Sequence, residues 1–155
     1  MSSRAIEPVH EAVSVRVPRQ RAWEAFTAQM GRWWPLQTHS VLADQGGQGK
    51  HAARLVVEGR VGGEIYEQAG DQRAACATVL VWDPPCQLSV RWRVNPAALT
   101  EWTATFTPEG GGTRVDLVHG GWESHGDRAA EVRSGYGGDE GWRTVLRCFQ
   151  RFLDG

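Results

Sequence analysis

The sequence predicts an α+β domain in which one antiparallel sheet packs against a C-terminal helix. The first observation is a series of short alternating segments separated by Gly, Pro and Asn turns, which is typical of an antiparallel meander. The second is a final segment whose apolar residues recur at helical spacing and form one wide apolar stripe. A sheet with one apolar face must be covered, and this helix has the face to cover it. The stripe consists of Trp142, Val145, Leu146, Phe149, Phe152 and Leu153.

The bulk composition is that of one globular domain, which we place over residues 1–155. The chain has 155 residues, of which 41% are hydrophobic and 23% charged. The net charge of −1 offers no basic field for nucleic acid. No apolar run approaches the roughly 20 residues of a membrane helix, and the first nine residues do not look like a secretory signal.

The three cysteines, Cys76, Cys86 and Cys148, are odd in number and contain no CxxC pair. Without an export signal, they are interpreted as reduced thiols in the cytoplasm. We therefore expect no metal site, and the sequence indicates no cofactor.

The N-terminal third predicts a strand followed by two short helices. Residues 11–17 alternate, with Val13, Val15 and Val17 on one side. Pro18 ends this strand and suits the start of a helix over 19–30, after which 32–35 form a helical turn. The glycine-rich segment 38–50 predicts a loop.

Six further strands are expected before the final helix, and Asp139 is predicted to cap that helix. The segment between the last strand and the final helix is polar and rich in glycine, with one helical turn around 127–133. The six strands are expected over 54–58, 64–68, 74–82, 86–94, 99–107 and 113–119.

This order, together with several local sequences, resembles the START-like (SRPBCC, helix-grip) superfamily. The resemblance is to the branch related to the C-terminal domain of heat-shock chaperone ATPase activators. It implies a seven-stranded sheet curled around the long helix, two short helices after the first strand, and a hydrophobic cavity between sheet and helix. The matching segments, in order, are VSVRVPRQRAWEAFT, RWWP, GGEIYE, VLVWDPPCQLSVRW, GGGTRVDLVHGGW and GYGGDEGWRTVLRCFQRFL.

Aromatic residues expected on the inner face are the candidate ligand-binding residues. Eight tryptophans in a small domain indicate either a core filled with rings or a cavity lined with them. Trp33 and Trp34 adjoin the glycine-rich loop, where the resemblance places the cavity mouth. The full set is Trp23, Phe26, Trp33, Trp34, Tyr66, Trp82, Trp92, Trp102, His119 and Trp142.

His119 is also the candidate catalytic residue. Strand alternation places it beside Val115 and Leu117, facing inward. A neutral imidazole there could bind a ligand oxygen or act as a general base, or it could simply bond to the protein at the end of a strand. His39 and His125 are interpreted as solvated loop residues.

Three functions follow as hypotheses. The first is binding of a hydrophobic or aromatic small molecule in the cavity. The second is a cavity enzyme of cyclase or hydrolase type that uses His119 as its base. The third, implied by the resemblance, is a co-chaperone-like protein interaction module. A homodimer formed through an exposed edge strand or the region near Trp34 is a further possibility.

Overall fold

Seven strands form one antiparallel sheet in the computed structural model, which describes residues 6–35, 39, 54–95 and 97–155. The sheet order is β1-β7-β6-β5-β4-β3-β2, so the first strand pairs with the last and the other strands follow as a meander. The strands are β1 (Val9–Val15), β2 (Arg54–Val57), β3 (Glu64–Ala69), β4 (Gln72–Asp83), β5 (Gln87–Trp92), β6 (Thr100–Glu109) and β7 (Gly112–Gly120).

Four α-helices accompany the sheet in the described part of the chain. A 3₁₀-helical segment, Trp122–Arg128, precedes the third helix and bends at Gly126. The helices are α1 (Arg19–Phe26), α2 (Met30–Trp33), α3 (Ala129–Gly137) and α4 (Trp142–Asp154). Two short helices after the first strand and a long C-terminal helix against the sheet confirm the predicted α+β helix-grip fold.

The first helix is shorter than its apolar spacing predicts. α1 ends at Phe26 because Thr27 leaves the helical conformation, and its hydroxyl donates to the Trp23 carbonyl at 2.8 Å. Met30 then begins α2 as a separate turn. The predicted loop over 38–50 lies outside the described residues, except for His39.

The core lies between the inner face of the sheet and the apolar stripe of α4. Phe149 on α4 is fully buried and packs edge-on against Phe26 at 5.3 Å and Trp33 at 5.1 Å between ring centroids. Burying a side chain of this size contributes about 1.5–3 kcal/mol. The buried residues of α4 are Trp142, Val145, Leu146 and Phe149.

The start of α4 differs from the prediction. Gly141 occupies the capping position, and no side chain caps the helix. Asp139 instead accepts a hydrogen bond from Arg143 at 2.6 Å, so its carboxylate binds the side chain of the second residue of the helix. A Cβ at residue 141 would lie 2.0 Å from the Tyr136 carbonyl oxygen, so the close approach of α3 and α4 requires glycine here.

The outer face of the sheet carries cross-strand charge pairs. Arg91 lies opposite Glu101 in the β5–β6 ladder, and their charged atoms are 3.5 Å apart. Within the described residues, no helix is long and apolar enough to cross a membrane.

Candidate functional site

A cavity of about 360 Å³ lies between the inner face of the sheet and the N-terminal half of α4. This volume falls within the range of about 300–1,000 Å³ typical of small-molecule sites. Most of the lining is apolar. The apolar side chains among the described lining residues are Met30, Trp34, Leu55, Ile65, Trp92, Val94, Trp102, Val132, Trp142 and Val145.

Four of these residues, Trp34, Trp92, Trp102 and Trp142, form what we call the tryptophan cluster. Trp102 packs edge-on against Trp142 with ring centroids 5.3 Å apart, and Trp92 lies 6.1 Å from Trp102. Trp34 is 5.9 Å from Trp142 and 6.2 Å from Trp92. Four indoles in mutual contact give one side of the cavity an aromatic surface.

Hydrogen bonds hold three of the four indoles in place. Trp92 donates its Nε1–H to the Tyr136 hydroxyl at 2.9 Å. Trp34 donates to the backbone carbonyl of His39 at 3.1 Å. Trp142 donates to Nδ1 of His119 at 2.9 Å. Rings whose donors are already bonded are held in place, so ligand binding requires little further ordering of these side chains.

The fourth indole, Trp102, has no hydrogen-bond partner for its Nε1–H. The side chain is only 1% exposed. A buried N–H without a partner costs about 1–3 kcal/mol. Trp122 carries a second unpartnered indole N–H, but Trp122 is not part of the cavity lining.

A buried carboxylate also lines the cavity. Glu67 on β3 is 1% exposed, and the Cys76 thiol on β4 donates to its Oε2 at 3.8 Å. Burial, followed by the negative charge of Glu67, raises the pKa of Cys76 far above its ordinary value, so this thiol stays protonated. The pair supplies a buried polar region on the wall of the cavity.

The exposed lining residues mark the open side of the cavity. Arg128, Glu131 and Glu140 are exposed, and Arg128 pairs with Glu131 at 3.4 Å. His39 also lies on this side, with its Nε2 2.8 Å from the Glu140 carbonyl. The mouth is therefore charged, whereas the interior is mostly apolar and aromatic, with Glu67 and Cys76 as its buried polar pair.

Six of the ten predicted ligand-binding residues lie outside the described lining. Trp23 and Trp82 pack against each other at 5.0 Å, and Phe26 and Trp33 fill the core beside Phe149. The structure brings together the four residues of the tryptophan cluster from the predicted set.

Tyr66 lies on the face opposite to the expected one. On β3 the buried positions are Ile65, Glu67 and Ala69, so Tyr66 points outward and stacks under the Arg73 guanidinium at 3.6 Å. This corrects the inner-face position expected for Tyr66. The same alternation places Glu67 inside, and the polar character of that residue hid it from a search for inward-facing rings.

His119 is fully buried on the inner face, as its strand parity predicts, but both ring nitrogens are bonded within the protein. An indole N–H can only donate, so Nδ1 accepts from Trp142, and the proton resides on Nε2. Nε2 then donates to the Thr100 hydroxyl at 2.7 Å. Burial, and secondarily the charge of His125, lowers the pKa of His119 to about 3, which keeps the ring neutral.

Within the residues the structure describes, no group of three or more His, Cys, Asp or Glu side chains is placed to hold a metal ion. His39 lines the cavity, whereas His125 lies near Trp122 at 6.4 Å between rings, outside the lining. The two histidines therefore occupy separate surroundings.

Residues 16–154 match the family model described as Activator of Hsp90 ATPase homolog 1-like protein. No curated protein matches the chain. Among solved structures, the chain is 30% identical to the anthrahydroquino-Gama-pyrone synthase Txn09 complexed with SUM. That match covers 95% of this chain and 97% of the other, with a TM-score of 0.62.

A second solved structure is the self-sacrificing resistance protein CalC from Micromonospora echinospora. It is 28% identical, with a TM-score of 0.70 and coverage of 95% of this chain and 94% of the other. The Aha1 dimer from Colwellia psychrerythraea is 15% identical over 96% of this chain and 97% of the other, with a TM-score of 0.65. At that identity, the likeness shows the fold alone.

Proposed function

We propose that this chain, which belongs to the Activator of Hsp90 ATPase homolog 1-like family of the START-like superfamily, binds a flat aromatic small molecule in the cavity between sheet and α4. The observation that carries the proposal is the cavity of about 360 Å³ lined by the tryptophan cluster. Stacking and edge contacts between aromatic rings contribute about 0.5–1.5 kcal/mol each beyond area burial. An aromatic guest gains this contribution, whereas a flexible aliphatic chain does not.

The similarity to Txn09 supports an aromatic ligand, because that protein is named as a synthase of a fused-ring aromatic product. The charged side chains of Arg128, Glu131 and Glu140 lie at the mouth, and the tryptophan cluster lies deeper in the site. An apolar aromatic ligand therefore finds its matching surface in the interior. The interaction-module hypothesis is less favoured, since it predicts a solid core with its working surface outside.

The first test uses 9-fluorenone, a rigid three-ring ketone, as the probe. We expect it to quench tryptophan emission saturably, because four of the eight tryptophans line the site. Val145→Trp on α4 is expected to fill the cavity and weaken binding by about tenfold or more, which corresponds to about 1.4 kcal/mol.

Val118→Trp is the matched control. Val118 is 40% exposed on the outer face of β7, so this substitution adds the same ring away from the cavity. Its affinity for 9-fluorenone is expected to equal that of the wild type. Equal affinities in all three proteins, or no saturable quenching in the wild type, would contradict binding in this cavity.

We propose as a second candidate function a cavity enzyme in which Glu67, in place of His119, removes a proton from the bound substrate. The specific observation is a buried carboxylate that lines the same cavity. A general base placed against the substrate typically contributes about 10²–10⁴-fold. His119 is less suited to this role because both its nitrogens are engaged by Thr100 and Trp142.

A probe reaction tests Glu67 without knowledge of the natural substrate. In the ring opening of 5-nitrobenzisoxazole, the base takes the C3 proton, the N–O bond breaks, and a cyanophenolate is released. The measured quantity is the rate of this reaction after the rate in buffer alone is subtracted. We expect Glu67→Gln to lower this rate by about 10²-fold, whereas Glu101→Gln, on the outer face, retains the wild-type rate. Equal rates in Glu67→Gln and the wild type would exclude Glu67 as the base.

A further inference from the structure

The segment between β7 and α4 borders the open side of the cavity. It holds the three exposed charged residues of the mouth, Arg128, Glu131 and Glu140. Its helix α3 also contributes Val132 and Tyr136 to the cavity wall. A ligand that enters or leaves on this side therefore passes α3.

Little apolar burial holds α3 in place. Within α3, all of which the structure describes, only Ala129 is buried. The other helix beside the cavity, α4, buries Trp142, Val145, Leu146 and Phe149. Segments with few buried apolar contacts open locally at a much lower free energy than that of global unfolding. We therefore expect α3 to leave its place far more readily than α4.

Glycines flank α3 at both ends and provide two hinges. Gly126 separates the 3₁₀-helical segment from α3 with φ 60° and ψ −128°, a conformation that other residues rarely adopt. A Cβ here would meet no atom within 4 Å, so backbone conformation and not packing explains this glycine. At the other end, Gly138 follows α3 in an extended conformation. Beyond these two glycines the chain is anchored, because Trp122 and Trp142 are buried.

Polar contacts fasten α3 in its observed position. Trp92 on β5 donates its indole N–H to the Tyr136 hydroxyl at 2.9 Å, which links α3 to the tryptophan cluster. Arg133 donates to the backbone carbonyls of Glu7 and Pro8 at 2.6 and 3.3 Å. Water replaces such hydrogen bonds at a small net cost, whereas exposing a packed apolar face costs far more. These contacts can therefore break and form again while the rest of the fold stays intact.

We propose that α3 is a lid that turns about Gly126 and Gly138 and so controls exchange of the ligand. It closes onto the cavity through the hydrogen bond between Tyr136 and Trp92. This inference rests on the proposed function and adds the route by which its ligand enters. In the closed position α3 forms part of the cavity wall and shields the bound rings from water. Binding and release of the ligand then both require α3 to open.

A disulfide that fixes α3 to β1 tests this proposal. A Cβ at Gly137 would lie 3.3 Å from Cγ2 of Val9, so Val9→Cys and Gly137→Cys together place two thiols within bonding reach. We expect the oxidised double variant to bind and release 9-fluorenone at least about tenfold more slowly than the same protein after reduction, because the lid no longer opens. Stopped-flow tryptophan quenching measures both rates. Gly137→Cys alone is the control, and its rates are expected to be the same with and without reductant.

Loss of the closing hydrogen bond is expected to have the opposite effect. Tyr136→Phe keeps the ring but removes the hydroxyl that accepts from Trp92, so we expect 9-fluorenone to leave up to about tenfold faster. Tyr66→Phe makes the same change on the outer face of β3 and is expected to leave the release rate unchanged. A Tyr136→Phe protein that releases 9-fluorenone at the wild-type rate would overturn this closing contact.

Hydrogen exchange tests the lid in the wild type, without any substitution. We expect the backbone amides of α3 to exchange at least about tenfold faster than those of α4. Saturation with 9-fluorenone is expected to slow exchange in α3. Equal exchange rates in α3 and α4 would show that α3 opens only when the whole fold unfolds, and the lid would be overturned.

The outcomes separate the two proposals. If the oxidised and reduced double variants both bind 9-fluorenone and exchange it at equal rates, α3 is a fixed wall. The lid is then overturned while the binding function stands. If neither the wild type nor the reduced double variant binds 9-fluorenone, the proposed function fails and the lid inference fails with it.

Discussion

His119→Ala is expected to lower the free energy of unfolding by about 3–5 kcal/mol. The side chain is fully buried and connects β6, β7 and α4 through its bonds to Thr100 and Trp142. Alanine leaves a void beside Trp122, whose ring packs 4.3 Å from the imidazole. It also leaves the Trp142 indole N–H and the Thr100 hydroxyl without their partner.

Urea unfolding followed by circular dichroism measures this loss, and His10→Ala is the control. His10 is exposed on the outer side of β1 and bonds to Asp116 at 2.9 Å, so its removal is expected to cost less than about 1 kcal/mol. A His119→Ala protein as stable as the wild type would show that the network is dispensable. It would then favour a role for His119 in chemistry.

The second large effect is a loss of stability in acid caused by the same residue. The pKa of His119 in the folded protein is about 3, below the ordinary value of 6.5. Between these values the unfolded chain binds a proton that the folded chain does not. The free energy of unfolding therefore falls as the pH drops from about 6.5 toward 3, with a slope of at most about 1.4 kcal/mol per pH unit. Above pH 6.5 the contribution of His119 to stability is fully present.

His119→Gln isolates this contribution, because glutamine can donate and accept but does not titrate. We expect the stability advantage of the wild type over His119→Gln to shrink by about 2–3 kcal/mol between pH 7.5 and 4.5. Other titrating groups act in both proteins and cancel in the difference. An advantage that is constant with pH would show that His119 has the same pKa in the folded and unfolded states.

The inward position of His119 could be predicted from the sequence, but its role could not. Val115, Leu117 and His119 alternate along β7 without a bulge, so parity alone places the imidazole inside. Its two partners come from the start of β6 and the start of α4, 19 and 23 residues away. Such contacts depend on how the helix docks onto the sheet, and no periodicity encodes that.

β3 illustrates a case in which strand parity is ambiguous. Residues 64–69 read Glu-Ile-Tyr-Glu-Gln-Ala, so either parity buries a polar residue. A preference for burying the aromatic ring selects Tyr66, but the fold buries Ile65, Glu67 and Ala69. Arg73 explains part of the outcome, since its guanidinium stacks on the outward Tyr66 ring. The buried carboxylate of Glu67 was therefore missed because the preference for a buried ring selected the wrong face of β3.

The identity of the cavity-lining rings also depends on tertiary packing. Apolar spacing correctly indicates that most of the rings are buried, but it treats Trp23 and Trp102 alike. The difference arises because Trp23 on α1 meets Trp82 and Phe106, which close the core at that position. Trp102 faces the space left between β3, β5 and α4.

The most direct measurement of the central claim is an NMR spectrum of the protein labelled with ¹⁵N at its eight indoles. Addition of 9-fluorenone is expected to shift the indole signals of Trp34, Trp92, Trp102 and Trp142. The signals of Trp23 and Trp82 are expected to stay in place. Unchanged cluster signals at saturating 9-fluorenone, or shifts confined to Trp23 and Trp82, would contradict an aromatic ligand site between the sheet and α4.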